Sequence, residues 1–349
     1  MKSVLFVTDA WHPQINGVVR TIEHTAHELT RRGIRVEYLT PQGFKTLPCP
    51  TYPEIRLSLT TKGTIRSIIR EHDCEHIHIA TEGPLGLLAA AAAQKEDRPF
   101  STSYHTRFPE YVTARVPLPK APFYAWFRRF HNSGTSCMVA TSELESSLKN
   151  RQFRNLMRWS RGVDTGLFHP HEGSVLPSEL SRPVFMNVGR VSVEKNIKAF
   201  LDLDLPGSKV VVGDGPQLDS LRKKYPDVFF AGTKTGDDLA RLYSSADAFV
   251  FPSKTDTFGL VLLEALACGV PVAAYPVMGP IDVIGDSGAG VLSMDLRNAC
   301  LEALKIPSER CRAAALEQNW AASTDMFLEN MKAANLTHSK DFNKNSRTS

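Results

Sequence analysis

The sequence lacks the signatures of several large protein classes. Its six cysteines (Cys49, Cys74, Cys137, Cys268, Cys300 and Cys311) are scattered, with no CxxC pair and no Cys/His group at zinc-ligand spacing. That argues against a disulfide scaffold or zinc module and for reduced thiols in a cytoplasmic protein. No apolar run reaches membrane-spanning length; the longest, Leu85 to Ala93, is about half of what a bilayer crossing takes. Membrane contact is therefore expected to be peripheral. A secretory signal core is missing too, because Met1-Lys2-Ser3 leads straight into Val4 to Thr8, which is short and reads as a buried strand.

What is present is globular. The 349 residues are 42% apolar and 22% charged, enough for two ordinary domains, each with a full core. The net charge of +4 is unevenly spread: residues 1–170 carry 22 Lys/Arg against 15 Asp/Glu, a surplus of +7, whereas residues 171–349 come to −3. A basic half beside an acidic half suggests two domains with different partners.

Short apolar strands alternate with helical periods. Strands are predicted at Val4 to Thr8, Arg35 to Thr40, His76 to Ala80, Thr102 to His105 and Met138 to Thr141. Helices are predicted at Val18 to Arg32, closed by Gly33, at Thr64 to Glu71, at Leu85 to Lys95, and at Glu143 to Lys149 with Ser142 as N-cap. The alternation restarts with strands at Val184 to Val188, Lys209 to Val212, Val228 to Ala231, Ala248 to Phe251 and Val272 to Ala274. Helices Glu194 to Phe200, Leu218 to Lys224, Asp237 to Ser245 and Gly259 to Cys268 lie among them, and more follow from Leu296 to about Ala334. Such alternation makes an α/β protein of two doubly wound parallel-sheet domains, with ligands at the carboxyl ends of the strands and in a cleft between the domains. Leu336 to Ser349 is polar and aperiodic and reads as a frayed tail.

Five constellations carry chemistry. Asp9 to Val18, with Asn16 and Gly17, joins a strand to a helix start, where free N–H groups can meet an anion. His105, in Ser103-Tyr104-His105-Thr106, stands at a strand end, where it can donate to a sugar hydroxyl or exchange a proton. Gly189-Arg190, with Lys195 five residues on, sets two cations beside a helix start, as a diphosphate pocket requires. Gly213-Asp214-Gly215 follows a strand, but Leu218 stands where a third dinucleotide-fingerprint glycine would; a plain turn and a nucleotide-lining loop both fit.

The fifth, Ser253 to Gly269, is the most specific. Asp256 lies in a loop after a strand, Phe258-Gly259-Leu260 open a helix, and Glu264 sits on its apolar inner face. An unpaired carboxylate there would cost several kcal/mol, and a ribose diol is a natural partner.

Taken in order with Arg161-Gly162-Val163-Asp164, these segments make the chain resemble the retaining glycosyltransferases of family four, which have the GT-B fold, over residues 1 to about 335. Among them it is most similar to mannosyl-, glucosyl- and sulfoquinovosyl-transferases of glycerolipids and inositol lipids. The resemblance implies two Rossmann-like domains facing across a cleft, at 1–165 (acceptor side) and 166–319 (nucleotide-sugar side). A helix over 320–335 would return to the first domain, and 336–349 would be a disordered tail.

It further implies that Asn16 and Gly17 meet the donor diphosphate or sugar, and His105 the sugar's distal hydroxyls. Gly189, Arg190 and Lys195 would bind the diphosphate, with Gly213 and Gly215 lining the donor. Asp256 would hold the sugar, the amides of Phe258, Gly259 and Leu260 a phosphate, and Glu264 the ribose. His105, Arg190, Lys195 and Asp256 would take part in the chemistry. No metal or other cofactor is implied, and the anomeric configuration is retained. The first acidic position, often Glu in the family, is Asp256 here, one methylene shorter.

Residues 107–161 interleave Arg107, Arg115, Lys120, Arg128, Arg129, Lys149, Arg151, Arg154, Arg158 and Arg161 with Phe108, Tyr111, Phe123, Tyr124, Trp126, Phe127, Phe130 and Trp159. That pattern suits an anionic membrane surface, and no nucleic-acid motif accompanies it. A solvated basic face over core aromatics would look the same. The expected enzyme is a cytoplasmic hexosyltransferase, peripheral on the inner face of the cytoplasmic membrane, moving a sugar from a UDP- or GDP-sugar to a lipid such as diacylglycerol or phosphatidylinositol. The alternatives are a transferase of polysaccharide or lipopolysaccharide assembly, a sugar-nucleotide epimerase, and a non-catalytic sugar-nucleotide-binding protein.

Overall fold

A computed structural model describes residues 1–14, 16–49, 52–113 and 119–345. The chain divides into two compact units: Met1–Ser160 together with Trp320–Ser349, and Arg161–Asn319.

In the first unit, strands β1 (Ser3–Val7), β2 (Arg35–Leu39), β5 (His76–Ile79), β6 (Phe100–Ser103), β7 (Ser136–Val139) and β8 (Leu156–Arg158) form one parallel sheet. Its order is β2-β1-β5-β6-β7-β8. A separate antiparallel pair, β3 (Lys45–Cys49) with β4 (Tyr52–Leu59), follows β2. β1 and β5 are wholly buried, as strands covered on both faces must be.

Helix Gly17–Arg31 packs Val19, Ile22, Ala26 and Leu29 inward at helical spacing, and Gly33 adopts φ +75° just past its end. The last helix, Trp320–Asn345, buries Phe327 and Met331 against Val4, Phe6 and Trp159 of the same unit. No Gly or Pro interrupts it, and Asn335 and His338 bond to His76 and to the Asp97 carbonyl. The helix therefore continues through Leu336, where a frayed tail was expected, as far as Asn345; 346–349 lie outside the described residues.

In the second unit, β9 (Val184–Val188), β10 (Ser208–Val212), β11 (Phe229–Gly232), β12 (Ala248–Phe251), β13 (Val272–Ala274) and β14 (Gly290–Leu292) form another parallel sheet. Its order, β11-β10-β9-β12-β13-β14, is that of a dinucleotide-binding fold, with the chain reversing direction between β9 and β12. The corresponding reversal in the first unit lies between β1 and β5. Ligands of such sheets sit beyond the carboxyl ends of the strands flanking the reversal, so the loops after β1, β5, β9 and β12 are the places to examine.

Several boundaries differ from expectation. Asn196 adopts the left-handed conformation (φ 53°), which splits the helix expected at Glu194 to Phe200 into a 3-10 turn, Val193–Lys195, and a helix, Ile197–Leu201. Thr141, not Ser142, is the N-cap of the helix Ser142–Asn150, its hydroxyl accepting from the Leu144 amide. Helix Leu260–Ala267 begins one residue later than expected, because Gly259 (φ +94°) is its cap.

Candidate functional site

In the second unit the loops after β9 and β12 are tied together. Lys195 Nζ lies 2.6 Å from Asp256 Oδ1. Asn196 Nδ2 donates to the Pro252 carbonyl at 3.0 Å, and the Thr255 hydroxyl donates to the Glu194 carbonyl at 3.3 Å. The 3-10 turn that replaces a helix start is what directs Lys195 to this carboxylate. Arg190 follows the β9 end directly and is half-buried. A cation and an anion expected to serve different parts of one ligand thus stand in contact at the sheet's reversal point.

The two glycines after β10 brace this loop. A Cβ at Gly213 (φ +140°) would fall 1.9 Å from the Gly189 carbonyl oxygen, and one at Gly215 2.5 Å from that of Val191. Val191 N–H donates to Asp214 O at 2.9 Å, and Gln217 N–H donates to Val191 O at 3.0 Å. Gly213 and Gly215 therefore let the backbone press against the segment bearing Arg190. This is a third role beside the plain turn and the nucleotide-lining loop.

No side chain caps helix Leu260–Ala267; the Leu262 amide donates to the Gly259 carbonyl at 2.9 Å, which leaves the Leu260 and Val261 amides for an external anion. Phe258 is buried, and its carbonyl packs where a Cβ on Gly279 would lie 2.4 Å away. Glu264 is 4% exposed, and the Tyr243 hydroxyl donates to its Oε2 at 2.9 Å. The cost expected of an unpaired inward carboxylate is thus met partly from within the protein, by a tyrosine on the neighbouring helix Gly236–Ser244. Tyr243 lies 21 residues away in sequence, and no local pattern announces it.

In the first unit, Asn16 Oδ1 accepts from the Val18 and Val19 amides, both at 3.0 Å. The helix start expected to offer free N–H groups is therefore largely capped by its own Asn, which leaves the Gly17 amide for a ligand; Ile15 lies outside the described residues. His105 follows β6 through the buried Tyr104 and sets its ring edge-on to Trp159, centroids 5.8 Å apart.

Asp9, after β1, accepts from Thr81 Oγ1 (2.9 Å), Leu85 N (2.9 Å) and Gly86 N (3.3 Å). Its pKa is raised chiefly by burial. Glu82, after β5, pairs with the fully buried His131 at 3.1 Å. Neither role was visible from the sequence, since the partners of each carboxylate are distant along the chain.

The basic, aromatic segment divides in two. Phe127, Phe130 and Trp159 are core residues, and Arg161, expected on the basic face, is buried as well. Arg107 and Tyr124 bond Glu110 at 3.0 and 2.6 Å, and Arg151 lies 4.5 Å from the Tyr124 ring centroid. Lys120, Trp126, Arg129, Lys149 and Arg154 are exposed. Arg115 lies outside the described residues, as does the Tyr111 side chain.

Known proteins bear on these features. Residues 15–167 match the family described as Glycosyltransferase Family 4, and residues 174–299 the one described as Glycosyl transferases group 1. The chain is 31% identical to the sulfoquinovosyl transferase SQD2 of Arabidopsis thaliana, over 75% of this chain and 54% of that protein, so it spans about half of that relative. It is 29% identical to a GDP-mannose-dependent alpha-mannosyltransferase of Corynebacterium glutamicum, covering 83% of this chain and 76% of the other. It is 27% identical to an alpha-monoglucosyldiacylglycerol synthase of Streptococcus pneumoniae, covering 94% and 83%. Among solved structures it resembles Anabaena Alr3699/HepE in complex with UDP and glucose (TM-score 0.69, 17% identity, 95% of this chain and 100% of that one). It also resembles a sucrose-phosphate synthase from Thermosynechococcus elongatus (TM-score 0.71, 18% identity, 100% of both chains). At such identities the structural likeness establishes the fold.

Proposed function

We propose, because the chain belongs to the GT-B glycosyltransferases of family four, that it moves a hexose from a UDP- or GDP-sugar to a hydroxyl of a membrane lipid with retention of configuration. The observation that carries this reading is the 2.6 Å pair of Lys195 and Asp256 at the reversal of the second sheet. It joins the residue that the family pattern assigns to the diphosphate with the one assigned to the sugar.

The chemistry asks for little beyond these groups. The bond from the sugar's anomeric carbon to the phosphate oxygen breaks, and one from that carbon to the acceptor oxygen forms on the same face. The departing phosphate takes the acceptor's proton. Charge grows on the leaving diphosphate, and Arg190, Lys195 and the uncapped amides at Leu260 are fixed positive groups that can stabilise it without reorganising. Glu264, steadied by Tyr243, accepts from the ribose diol. Asp256 holds hydroxyls of the sugar.

Support for a lipid acceptor comes from the similarity to an alpha-monoglucosyldiacylglycerol synthase. Helix Lys120–His131 adds to it by exposing Ala121, Pro122, Ala125 and Trp126 on one face, flanked by Lys120 and Arg129. Such a face suits peripheral binding to an anionic surface, here the inner face of the cytoplasmic membrane. Among the described residues no helix is long and apolar enough to cross a membrane.

The test is a panel of UDP- and GDP-sugars incubated with diacylglycerol, phosphatidylinositol and soluble saccharides, with products read by mass spectrometry. A lipid glycoside formed equally well in EDTA is the expected result. Products on soluble saccharides alone would refute the lipid acceptor, and an epimerised donor without transfer would refute the transferase.

A further inference from the structure

The first unit holds an ion pair that the donor chemistry does not use. Glu82 follows β5 at the reversal of the sheet, and its side chain is 14% exposed; His131, its partner, is 0% exposed. The hydrogen bonds fix the protonation of that imidazole. The Thr102 hydroxyl donates its proton to the Ser136 carbonyl (3.4 Å), so it must accept from His131 Nδ1 at 2.9 Å. Nε2 faces a carboxylate and must also carry a proton. His131 is therefore an imidazolium, enclosed by Tyr104, Phe127, Phe130 and Phe153. Burial works against that charge, but the Cys137 sulfur and the Glu82 carboxylate outweigh it and raise the pKa to about 9.

A charge pair sunk into an aromatic core gains little stability over apolar packing, so its place needs another reason. One oxygen of Glu82 is taken by His131; the other, Oε2, makes no hydrogen bond among the described residues. The Tyr104 ring packs on His131 (centroids 5.3 Å apart), and its hydroxyl is fully buried with no hydrogen-bond partner among the described residues. Burial raises its pKa, with the charges of Tyr124, Glu82 and Glu110 adding to that. Asp9, at the same reversal, is saturated by Thr81, Leu85 and Gly86.

We infer that Glu82, held by the His131 imidazolium, binds the hydroxyls of the acceptor, and that the acceptor presents an uncharged polyol there. The polyol follows from charge: Thr81, the residue next to Glu82, bonds Asp9, so two carboxylates stand at this reversal and a phosphate would be repelled by both. A glycerol hydroxyl or a sugar hydroxyl offers the same donor. Glu82 touches the acceptor, whereas His131 is a positioning residue. This inference rests on the transferase reading above.

The test uses the full chain with its donor and three acceptors: diacylglycerol, phosphatidylinositol and a soluble alkyl glucoside. Glu82→Gln keeps the shape of the side chain and should raise the acceptor KM at least about tenfold, the scale of one lost charged hydrogen bond. Nucleoside diphosphate affinity by calorimetry and slow donor hydrolysis by water should stay unchanged. His131→Gln, which keeps a donor towards Glu82, should raise the acceptor KM less. Diacylglycerol or the glucoside should be preferred to phosphatidylinositol; which of the two neutral acceptors leads identifies the source of the polyol. An unchanged acceptor KM in Glu82→Gln would overturn the assignment, and so would a preference for phosphatidylinositol. Failure of the unaltered chain to bind any UDP- or GDP-sugar would sink the donor reading itself and this role with it, a result separable from the others because it appears without mutation.

Discussion

Lys195 and Asp256 face each other with 28% and 12% of their side chains exposed, so their pairing is only partly screened by water. On the proposed reading, a diphosphate arriving at Lys195 must compete with Asp256, and the displaced carboxylate would accept from a sugar hydroxyl. Donor binding and sugar positioning would then be coupled through that ion pair. Lys195→Ala should lower kcat by roughly a hundredfold or more, the scale of one lost fixed charge at a developing anion, while circular dichroism shows an intact fold. Glu264→Ala should weaken nucleotide binding in the same assay. Tyr243→Phe is the sharper probe of that carboxylate, since it removes only the hydroxyl bonded at 2.9 Å. It should cost about 1–3 kcal/mol of stability in denaturant titration and raise the donor KM. A donor KM unaffected by the loss of this hydroxyl would mean that Tyr243 serves the core alone.

At the scale of elements, the loop after β9 depends on what lies beneath it. Gly213→Ala puts a Cβ 1.9 Å from the Gly189 carbonyl at a backbone φ of +140°, so both the turn and the loop must move. Its melting temperature should fall by several degrees and donor affinity should drop with it, because Arg190 rides on the displaced segment. Gly232→Ala, also at positive φ but with nothing within 4 Å, should lower the melting temperature less and leave donor affinity alone.

The contrast shows what was legible in the sequence. Val184–Val188, Ala248–Phe251 and Val272–Ala274 form where apolar runs stand between turn signals. Arg190, Lys195, Asp256 and Glu264 were legible because each lies a fixed step beyond such a strand. Helix Lys120–His131 was not, since it buries only Phe127, Phe130 and His131 and carries Pro122 near its start, which leaves a faint period. The β3–β4 hairpin was missed because Pro48 interrupts one strand and the other mixes charge with apolar residues. Tyr243 with Glu264, and Glu82 with His131, are joined only by folding, 21 and 49 residues apart, and such pairings leave no local trace.

On the scale of the whole molecule, two buried histidines of the first unit pull its stability in opposite directions with pH. His76 is bonded to Asn335 and Ser101 at 2.6 and 2.8 Å. Burial pushes its pKa down to about 4, with Asn335 and Glu75 only partly opposing. An imidazole depressed from its ordinary value of 6.5 favours the fold above that value, and the benefit is lost as pH falls towards 4. His131, raised to about 9, does the reverse: its contribution is complete below 6.5 and is lost as pH climbs through 9. Each limb is worth at most about 3 kcal/mol, taking 1.36 kcal/mol per pKa unit.

The first unit should therefore be most stable near pH 6.5, as far as these two groups decide. It can be followed separately from the second, because all four tryptophans, Trp11, Trp126, Trp159 and Trp320, belong to it. Urea titrations read by tryptophan fluorescence should give a midpoint that falls on both sides of pH 6.5. His131→Gln should flatten the alkaline side and leave the acid side in place. A midpoint that rises steadily from pH 6.5 to 9 in the unaltered protein would mean that His131 is neutral in the fold. Glu82 would then be without the cation that holds it, so the acceptor assignment and the alkaline limb stand or fall on the same proton.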